Sequence, residues 1–146
     1  MKQVFNAFNN QPLVFVKDRN YLVTPLLDHC PATSFLLVKD VIQELNRLVK
    51  INNIDKIIGE EDRGGYLTAI FSYQHKLPFS LAKWNACGLI GENAIDFRNA
   101  YTNGKMYLNG IKTNDRVIVV EDIIDSGGTV IALINLLKMA KAKIID

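Results

Sequence analysis

The chain has 146 residues, enough for one domain with a single sheet and its covering helices. Its 49% hydrophobic and 22% charged residues exclude an intrinsically disordered chain, and its net charge of +2 argues against nucleic acid as a partner. Cys30 and Cys87 lack the spacing of a metal site, so we expect reduced thiols and a cytoplasmic location. The sequence has neither a signal-peptide pattern nor an apolar run of ~18 residues, so we expect no membrane contact.

Residues 1–33 are predicted to be irregular apart from two short strands, at 13–17 and 21–23. A helix is expected to begin after Thr33 or Ser34, since either residue can cap a helix N-terminus. The apolar residues that follow recur at helical spacing and give this helix one apolar face. They are Leu36, Leu37, Val41, Ile42, Leu45, Leu48 and Val49.

The middle of the chain has the order strand, loop, helix, strand. We predict a short strand at 54–58, a loop at 59–65, a helix at about 66–75 and a strand at 79–83. This order is the unit of a parallel sheet, because the helix carries the chain back to start the next strand in the same direction. We therefore expect an α/β domain that spans residues 1–146.

Residues 84–111 depart from this pattern and are predicted to form a two-stranded ribbon. Its arms are expected at 95–102 and 105–110, on either side of the dipeptide Asn103-Gly104, which is a strong hairpin-turn signal. Long ordered insertions in α/β domains are often lids over an active site, so we interpret the ribbon as a lid. A hairpin without a role in the site is the alternative.

The most informative segment lies at 117–129. An apolar strand leads into Glu121 and Asp122, a loop Ser126-Gly-Gly-Thr129 follows, and a helix is expected at 130–140. Open α/β sheets bind ligands at the carboxyl ends of their strands. A glycine-rich loop before a helix binds phosphate through backbone N–H groups. Acids beside such a loop therefore predict a sugar-phosphate ligand.

The two parts of this segment have different expected roles. A carboxylate accepts hydrogen bonds from hydroxyls, so Glu121 and Asp122 suit a ribose diol or a metal ion. Solvated acids at a strand end are the alternative for either residue taken alone. Glycines allow close approach, and hydroxyls add donors, to a phosphate. The predicted phosphate cradle consists of Asp125, Ser126, Gly127, Gly128 and Thr129.

The loop at 59–65 is a second candidate phosphate site. Arg63 precedes Gly64 and Gly65 at the expected start of a helix. A guanidinium pairs with phosphate oxygens in a forked geometry, which suits a doubly charged diphosphate. A surface arginine in an ordinary turn is the alternative.

Segment 117–129 resembles the phosphoribosyl-diphosphate (PRPP) binding motif of the type I phosphoribosyltransferases, from its apolar strand and acidic pair to Ser/Thr-Gly-Gly-Thr. The resemblance implies that family's fold: a doubly wound parallel sheet with helices on both faces. It also implies a flexible hairpin lid at 84–111 and a small N-terminal hood at 1–33. Residues 142–146 have the pattern of a strand that is just beginning, so the C-terminal end is expected to be incomplete.

The loop around Arg63 resembles the diphosphate loop of adenine phosphoribosyltransferases, with Glu61 and Arg63 at matching positions. In that family the loop often contains a cis peptide bond, which here would join Glu61 and Asp62. Lys83 stands where the family usually has an Arg-Lys pair, and Ala82 takes the place of the arginine. The resemblance therefore implies one of the two strand cations.

The resemblance assigns further residues to PRPP, the lid and catalysis. Tyr101 and Lys105 would belong to the lid, although Ala100 replaces the family's loop glutamate. Arg63, Lys83 and Asp125 would be catalytic. The acidic pair would hold the ribose hydroxyls directly or through Mg²⁺. The implied PRPP-binding residues are Glu61, Asp62, Arg63, Gly64, Lys83, Glu121, Asp122, Asp125, Ser126, Gly127, Gly128 and Thr129.

The implied activity is that of a purine phosphoribosyltransferase, in which a purine displaces diphosphate from PRPP to give a nucleoside monophosphate. The overall layout resembles adenine-type enzymes. Asp125 instead matches hypoxanthine–guanine enzymes, where this acid faces the purine N7, and Tyr107 to Gly110 resemble archaeal hypoxanthine/guanine enzymes. The resemblance also implies a homodimer.

Two other functions stay open. A regulatory protein of the same fold would bind PRPP and control a nucleic acid without turning PRPP over, and Ala82 and Ala100 favour that interpretation. An orotate-type enzyme would act on a pyrimidine. Asp125 argues against this second alternative, because a pyrimidine has no N7.

Overall fold

The computed structural model describes residues 2–16, 18–98 and 103–146. The chain divides into two compact units, Met1–Lys50 and Ile51–Asp146. The single domain expected over residues 1–146 stays a prediction. The first unit contains α1 (Lys2–Phe8), β1 (Leu13–Val16), β2 (Arg19–Leu22) and α2 (Phe35–Leu48). The second contains β3 (Lys56–Glu60), α3 (Gly65–His75), β4 (Phe79–Ala82), β5 (Asn93–Arg98), β6 (Asn103–Leu108), β7 (Arg116–Val119), α4 (Gly128–Met139) and β8 (Lys143–Ile144).

The first unit confirms three predicted elements and adds one helix. Strands β1 and β2 pair antiparallel, and Ser34 caps α2 by accepting a hydrogen bond from the backbone N–H of Leu37 at 3.2 Å. Helix α1 was expected to be irregular chain, which was wrong. Its backbone N–H at Gln3 donates to the Asp40 carboxylate of α2 at 2.9 Å, a contact 37 residues away in sequence. Local sequence patterns do not reveal a partner that is so far away in the sequence.

The second unit is built on a parallel four-stranded sheet with the order β4-β3-β7-β8. Helix α3 carries the chain from β3 to β4, and α4 carries it from β7 to β8 on the other side of the sheet's centre. Since such crossovers are right-handed, the two helices cover opposite faces. The α/β fold with a doubly wound parallel sheet is therefore confirmed. The strand expected near the C-terminus is β8, which pairs with β7.

The ribbon is present, but its turn was predicted at the wrong place. Asn103 pairs with Arg98 and Gly104 pairs with Phe97, so the Asn-Gly dipeptide lies inside β6. A Cβ added to Gly104 would make an ordinary contact with the Phe97 ring at 3.9 Å, so packing among the described residues does not require glycine there. Residues 99–102, with the predicted lid residue Tyr101, lie outside the described residues.

The base of the ribbon is part of the hydrophobic core and does not simply project from the sheet. Met106 and Leu108 of β6 are fully buried, in one cluster with Leu133 and Leu136 of α4. Because these side chains pack on α4, burial of apolar surface holds the ends of the ribbon in place. No helix in the described parts of the chain has the length and apolar character needed to cross a membrane.

Strand β3 extends further than predicted, because Gly59 and Glu60 belong to the strand and not to the loop. They pair with Leu81 and Ala82 of β4. Gly59 allows α3 to approach the sheet closely, since a Cβ at this position would lie 2.0 Å from Oγ1 of Thr68. The glycine is therefore a packing requirement between strand and helix, not a turn signal.

We expect Gly59→Ala to lower the free energy of unfolding by about 1–3 kcal/mol, because the new methyl group would force Thr68 and β3 apart. Urea denaturation of the purified protein measures this change. Gly104→Ala is the matched control, since its added Cβ would make an ordinary contact with the Phe97 ring at 3.9 Å. Equal stabilities of the two variants would contradict the packing role of Gly59.

Candidate active site

The candidate site lies where β3 and β7 end side by side. Lys56 pairs with Val117 and Ile58 with Val119 in parallel register, so the residues that follow both strands emerge at the same edge of the sheet. The chain leaves this pair of strands in opposite directions, towards β4 and towards β8. Such a point of reversal is where open α/β sheets bind their ligands.

Side-chain and backbone hydrogen bonds hold the first loop, residues 61–64. A Glu60 carboxylate oxygen accepts from the Asp62 backbone N–H at 2.6 Å, and a Glu61 carboxylate oxygen accepts from the Trp84 backbone N–H at 2.7 Å. The Glu61 N–H donates to the carbonyl of Ala82 at 2.9 Å. These bonds tie the loop to the end of β4. The expected cis peptide between Glu61 and Asp62 was wrong, since that bond is trans and the cis bond among the described residues is Cys30–Pro31.

The start of α3 brings this loop against the acidic pair. Gly64 is the N-cap of α3, and a Cβ on it would lie 2.5 Å from Oε1 of Glu121. The buried Thr68 hydroxyl lies 3.1 Å from the carbonyl of Gly64 and 3.3 Å from that of Val120, at the end of β7. The loop after β3 and the acids after β7 are therefore in direct contact.

In both Glu121 and Asp122, one carboxylate oxygen accepts a hydrogen bond from the backbone and the other accepts none among the described residues. Oε1 of Glu121 accepts from the Asp122 N–H at 3.3 Å, and Oδ1 of Asp122 accepts from the Ile123 N–H at 2.9 Å. Within the described residues, Oε2 of Glu121 and Oδ2 of Asp122 are buried without a hydrogen-bond partner. Buried acceptors without donors are costly, so this pair is suited to receive hydroxyl groups or a cation.

Burial and neighbouring negative charge change the protonation of this cluster. Burial, and next the adjacent Asp122 carboxylate, raise the pKa of Glu121 well above its ordinary range. Burial also raises the pKa of Glu60 to about 7, although the bond from Asp62 opposes this shift. Tyr66 on α3 has its pKa raised to about 12, by burial and then by Asp122. A cation or a set of hydroxyl donors would favour the charged carboxylates.

Sequence reasoning missed Glu60 as a site residue, because it was assigned to the loop at 59–65. Its side chain is 6% exposed. The signal that could have found it is strand alternation, which puts Glu60 on the same face of β3 as the buried Ile58. An acid at a buried strand position is rare enough to indicate a role.

The second loop, residues 123–127, leads into α4. Gly127 is the helix N-cap with φ of 79°, a left-handed conformation that glycine adopts readily. The helix begins at Gly128, two residues before the predicted start, so the Gly128 and Thr129 N–H groups are among the first donors of the helix. Asp125 and Ser126 are exposed. These are the features of an anion-binding helix start.

Other predicted site residues lie at the edges of this arrangement. Lys83 follows β4, its side chain is exposed, and its backbone forms hydrogen bonds of 2.8 and 2.9 Å with Tyr107 of the ribbon. Lys105 is exposed in β6 opposite Asp96. Arg63 is half-buried in the first loop and interacts with a neighbouring group.

Comparisons with known proteins agree on one family. Residues 31–146 match the phosphoribosyl transferase domain. The hypoxanthine/guanine phosphoribosyltransferase of Methanocaldococcus infernus is 35% identical over 135 residues, which cover 92% of this chain and 74% of that protein. The enzyme of the same name from Methanotorris igneus is 36% identical over 135 residues, with the same shares covered.

Solved structures of adenine phosphoribosyltransferases have the same fold. The enzyme of Rhodothermus marinus aligns with a TM-score of 0.78 at 19% identity, covering 99% of this chain and 82% of that chain. The enzyme of Giardia lamblia, in complex with 9-deazaadenine, aligns with a TM-score of 0.78 at 21% identity, covering 96% and 78%. At these identities the likeness concerns the fold alone, and it confirms the expected type I architecture.

We expect the free energy of unfolding of the ligand-free protein to fall as the pH rises from about 5 to about 9. The folded protein keeps protons on Glu60 and Glu121 that the unfolded chain has already released, so rising pH favours unfolding. The Glu121→Gln variant lacks one of these two titrating groups, so its free energy of unfolding should fall less over the same pH range. Urea denaturation at about pH 5, 7 and 9 measures this effect.

Glu44→Gln is the matched control for this pH series, because Glu44 lies on α2 in the other unit and pairs with Arg47. It should follow the wild-type pH dependence. If the stability of Glu121→Gln has the same pH dependence as the wild type, Glu121 does not hold a proton in the folded protein.

Proposed function

The chain belongs to the phosphoribosyltransferase family, and from this premise we propose the reaction that it catalyses. It is a purine phosphoribosyltransferase, which transfers the 5-phosphoribosyl group of PRPP to a purine and releases diphosphate and a nucleoside monophosphate. One observation carries the assignment to this site: the acidic pair has buried acceptor oxygens without partners and touches the start of α3. A pentose with charged groups at both ends fits between two helix starts that flank two carboxylates.

In the proposed complex, each part of PRPP has its own set of partners. The 5-phosphate lies in the cradle of residues 125–129, where the first N–H groups of α4 donate to its oxygens. The ribose hydroxyls donate to Glu121 and Asp122. The diphosphate lies against the loop of Glu61, Asp62, Arg63 and Gly64, with Lys83 beside it. This division is supported by the shared sheet edge from which all three segments emerge.

The chemical step separates a cationic ribose from a departing polyanion. Arg63 and Lys83 would stabilise the diphosphate as its charge grows, and the two carboxylates would hold the ribose so that the attacking nitrogen meets the anomeric carbon in line. The ribbon would exclude water from this centre, since water could otherwise hydrolyse PRPP. Lys105 and Tyr101 are the proposed lid residues.

We propose that Mg²⁺ enters the site together with PRPP. The unpartnered Oε2 of Glu121 and Oδ2 of Asp122 fit a hard cation that prefers oxygen ligands. Across the described ranges no cluster of three acidic, histidine or cysteine side chains could hold a metal ion. Mg²⁺ is commonly held by one or two carboxylates together with the substrate's oxygens. When bound, Mg²⁺ supplies positive charge to the diphosphate.

The purine is proposed to be a 6-oxopurine, hypoxanthine or guanine. The named activity of the two methanogen relatives supports this choice. Asp125, exposed at the start of the phosphate cradle, is the proposed partner of the purine N7, where it would exchange a proton as the ring nitrogen attacks. Adenine is the alternative purine, since the structural neighbours are adenine enzymes.

The assembly and the location of the protein are also proposals. A homodimer is supported by β1, whose four apolar residues are all exposed, because large apolar surfaces tend to be covered by a partner. Light scattering in solution measures the mass. A cytoplasmic location is proposed because the highly charged PRPP and nucleotide products cross membranes poorly.

We expect diphosphate release from PRPP with hypoxanthine and guanine, less with adenine or xanthine, and none with orotate. Orotate should fail because a pyrimidine lacks the N7 that an acid at Asp125 can face. Hypoxanthine and guanine are ranked first because they are the bases named for the two archaeal relatives. A coupled diphosphate assay with each base measures the rates. PRPP binding without turnover of any base would favour the regulatory alternative, and turnover of orotate would favour the pyrimidine enzyme.

Asp125→Ala is expected to lower kcat with hypoxanthine by about 100-fold or more, the usual contribution of an acid–base group, while PRPP binding changes little. Steady-state kinetics gives kcat, and calorimetry with Mg²⁺ and PRPP gives the affinity. The control is Glu121→Ala, which should instead abolish the heat of PRPP binding. Equal losses of kcat and of PRPP affinity in Asp125→Ala would contradict the N7 role.

A further inference from the structure

Trp84 forms two hydrogen bonds to the loop that is proposed to bind diphosphate. Its backbone N–H donates to a Glu61 carboxylate oxygen at 2.7 Å, and its side chain donates to the buried Glu60 carboxylate. The indole N–H is the donor group on a tryptophan side chain. Glu60 in turn accepts from the Asp62 backbone N–H at 2.6 Å, so the indole is one bond away from the loop backbone.

The other side of Trp84 contacts the ribbon. Its ring packs on Phe97 of β5, with ring centroids 4.5 Å apart and planes tilted by 39°. The preceding residue, Lys83, is joined to Tyr107 of β6 by a pair of backbone hydrogen bonds. Phe97 itself is a member of the buried core cluster. Trp84 therefore lies between the loop and the base of the ribbon and contacts both.

We propose that Trp84 is a positioning residue, which holds the diphosphate loop in its binding conformation through Glu60 and Glu61 and links this loop to the ribbon through Phe97. It does not touch the reacting atoms. The inference rests on the proposed function. It adds a residue that neither the motif at 117–129 nor the loop motif around Arg63 includes.

The conformation of the loop at 61–64 depends on contacts with neighbouring residues. Residues 61–64 precede a helix and contain Gly64, so the backbone has freedom that must be restricted before a ligand binds well. The carboxylates of Glu60 and Glu61 supply acceptors, and the two N–H groups of Trp84 supply donors. Because Trp84 is also packed against Phe97, a shift of the loop and a shift of the ribbon base are coupled mechanically.

Trp84→Phe separates these contacts. Phenylalanine keeps a ring against Phe97 and keeps the backbone bond to Glu61, but it removes the indole N–H that bonds to Glu60. Loss of one hydrogen bond to a buried carboxyl group should raise the KM for PRPP about fivefold. The KM for the purine and the midpoint of urea denaturation should stay close to the wild-type values, because the ring contact is retained.

Tyr73→Phe is the matched control, since it removes one polar hydrogen from an aromatic residue on α3 whose side chain is 87% exposed. It should leave both KM values unchanged. A second control places Trp84→Phe in a Glu60→Ala background, which lacks the side-chain acceptor. If the indole acts through Glu60, the added substitution should raise the KM for PRPP much less there than in the wild type.

Trp84 is the single tryptophan of the chain, so its fluorescence reports on the loop without a label. Titration of the wild-type protein with magnesium diphosphate should change the emission intensity or wavelength, with the midpoint that calorimetry gives for the same ligand. Heat of binding without any change in emission would overturn the proposal.

The kinetic results separate the possible failures. A rise in the KM for PRPP alone supports the positioning role. Equal rises in both KM values together with a lower denaturation midpoint would mean that Trp84 is only a structural residue, and no change in either KM would also overturn the proposal. If the wild-type protein neither turns over PRPP nor binds magnesium diphosphate, the proposed function fails, and the role of Trp84 fails with it.

Discussion

The parallel pairing of β3 with β7 is the constraint on which the site depends. It brings the ends of two strands that are some 60 residues apart in sequence to one edge of the sheet, within hydrogen-bonding distance. The contact between Gly64 and Glu121 exists only because this register is kept. Thr68 and Gly59 hold α3 close to the same strands, so the backbone of the loop and the carboxylates share one rigid support.

The negative charges of the acids at this edge of the sheet are not balanced when no ligand is bound. Three acids, Glu60, Glu121 and Asp122, lie near each other, and burial opposes the charged forms of Glu60 and Glu121. Approach of cations or hydroxyl donors would stabilise the charged carboxylates, and the proposed binding of PRPP and Mg²⁺ would supply both kinds of group. The ligand-free protein thus keeps a cost that binding relieves, and such stored costs are common at functional sites.

The sequence predicted those features whose signals are local. The order of strands and helices in the second unit, the acidic pair after β7 and the glycine-rich start of α4 all follow from short runs of residues. The features it did not predict depend on distant partners: α1 is fixed by Asp40, Glu60 is buried by the sheet, and Trp84 meets Phe97 only after folding. Asn103-Gly104 failed as a turn because ladder pairing with Arg98 and Phe97 overrides the local preference.

Ala82 limits how this chain could be re-engineered. Its side chain is fully buried among Ile58, Leu133 and other apolar groups at the end of β4. An arginine at this position would put a guanidinium in a hydrocarbon environment, where it would disrupt the sheet before it reached any anion. A designer who wants more positive charge for the leaving group would do better to choose exposed positions beyond Lys83.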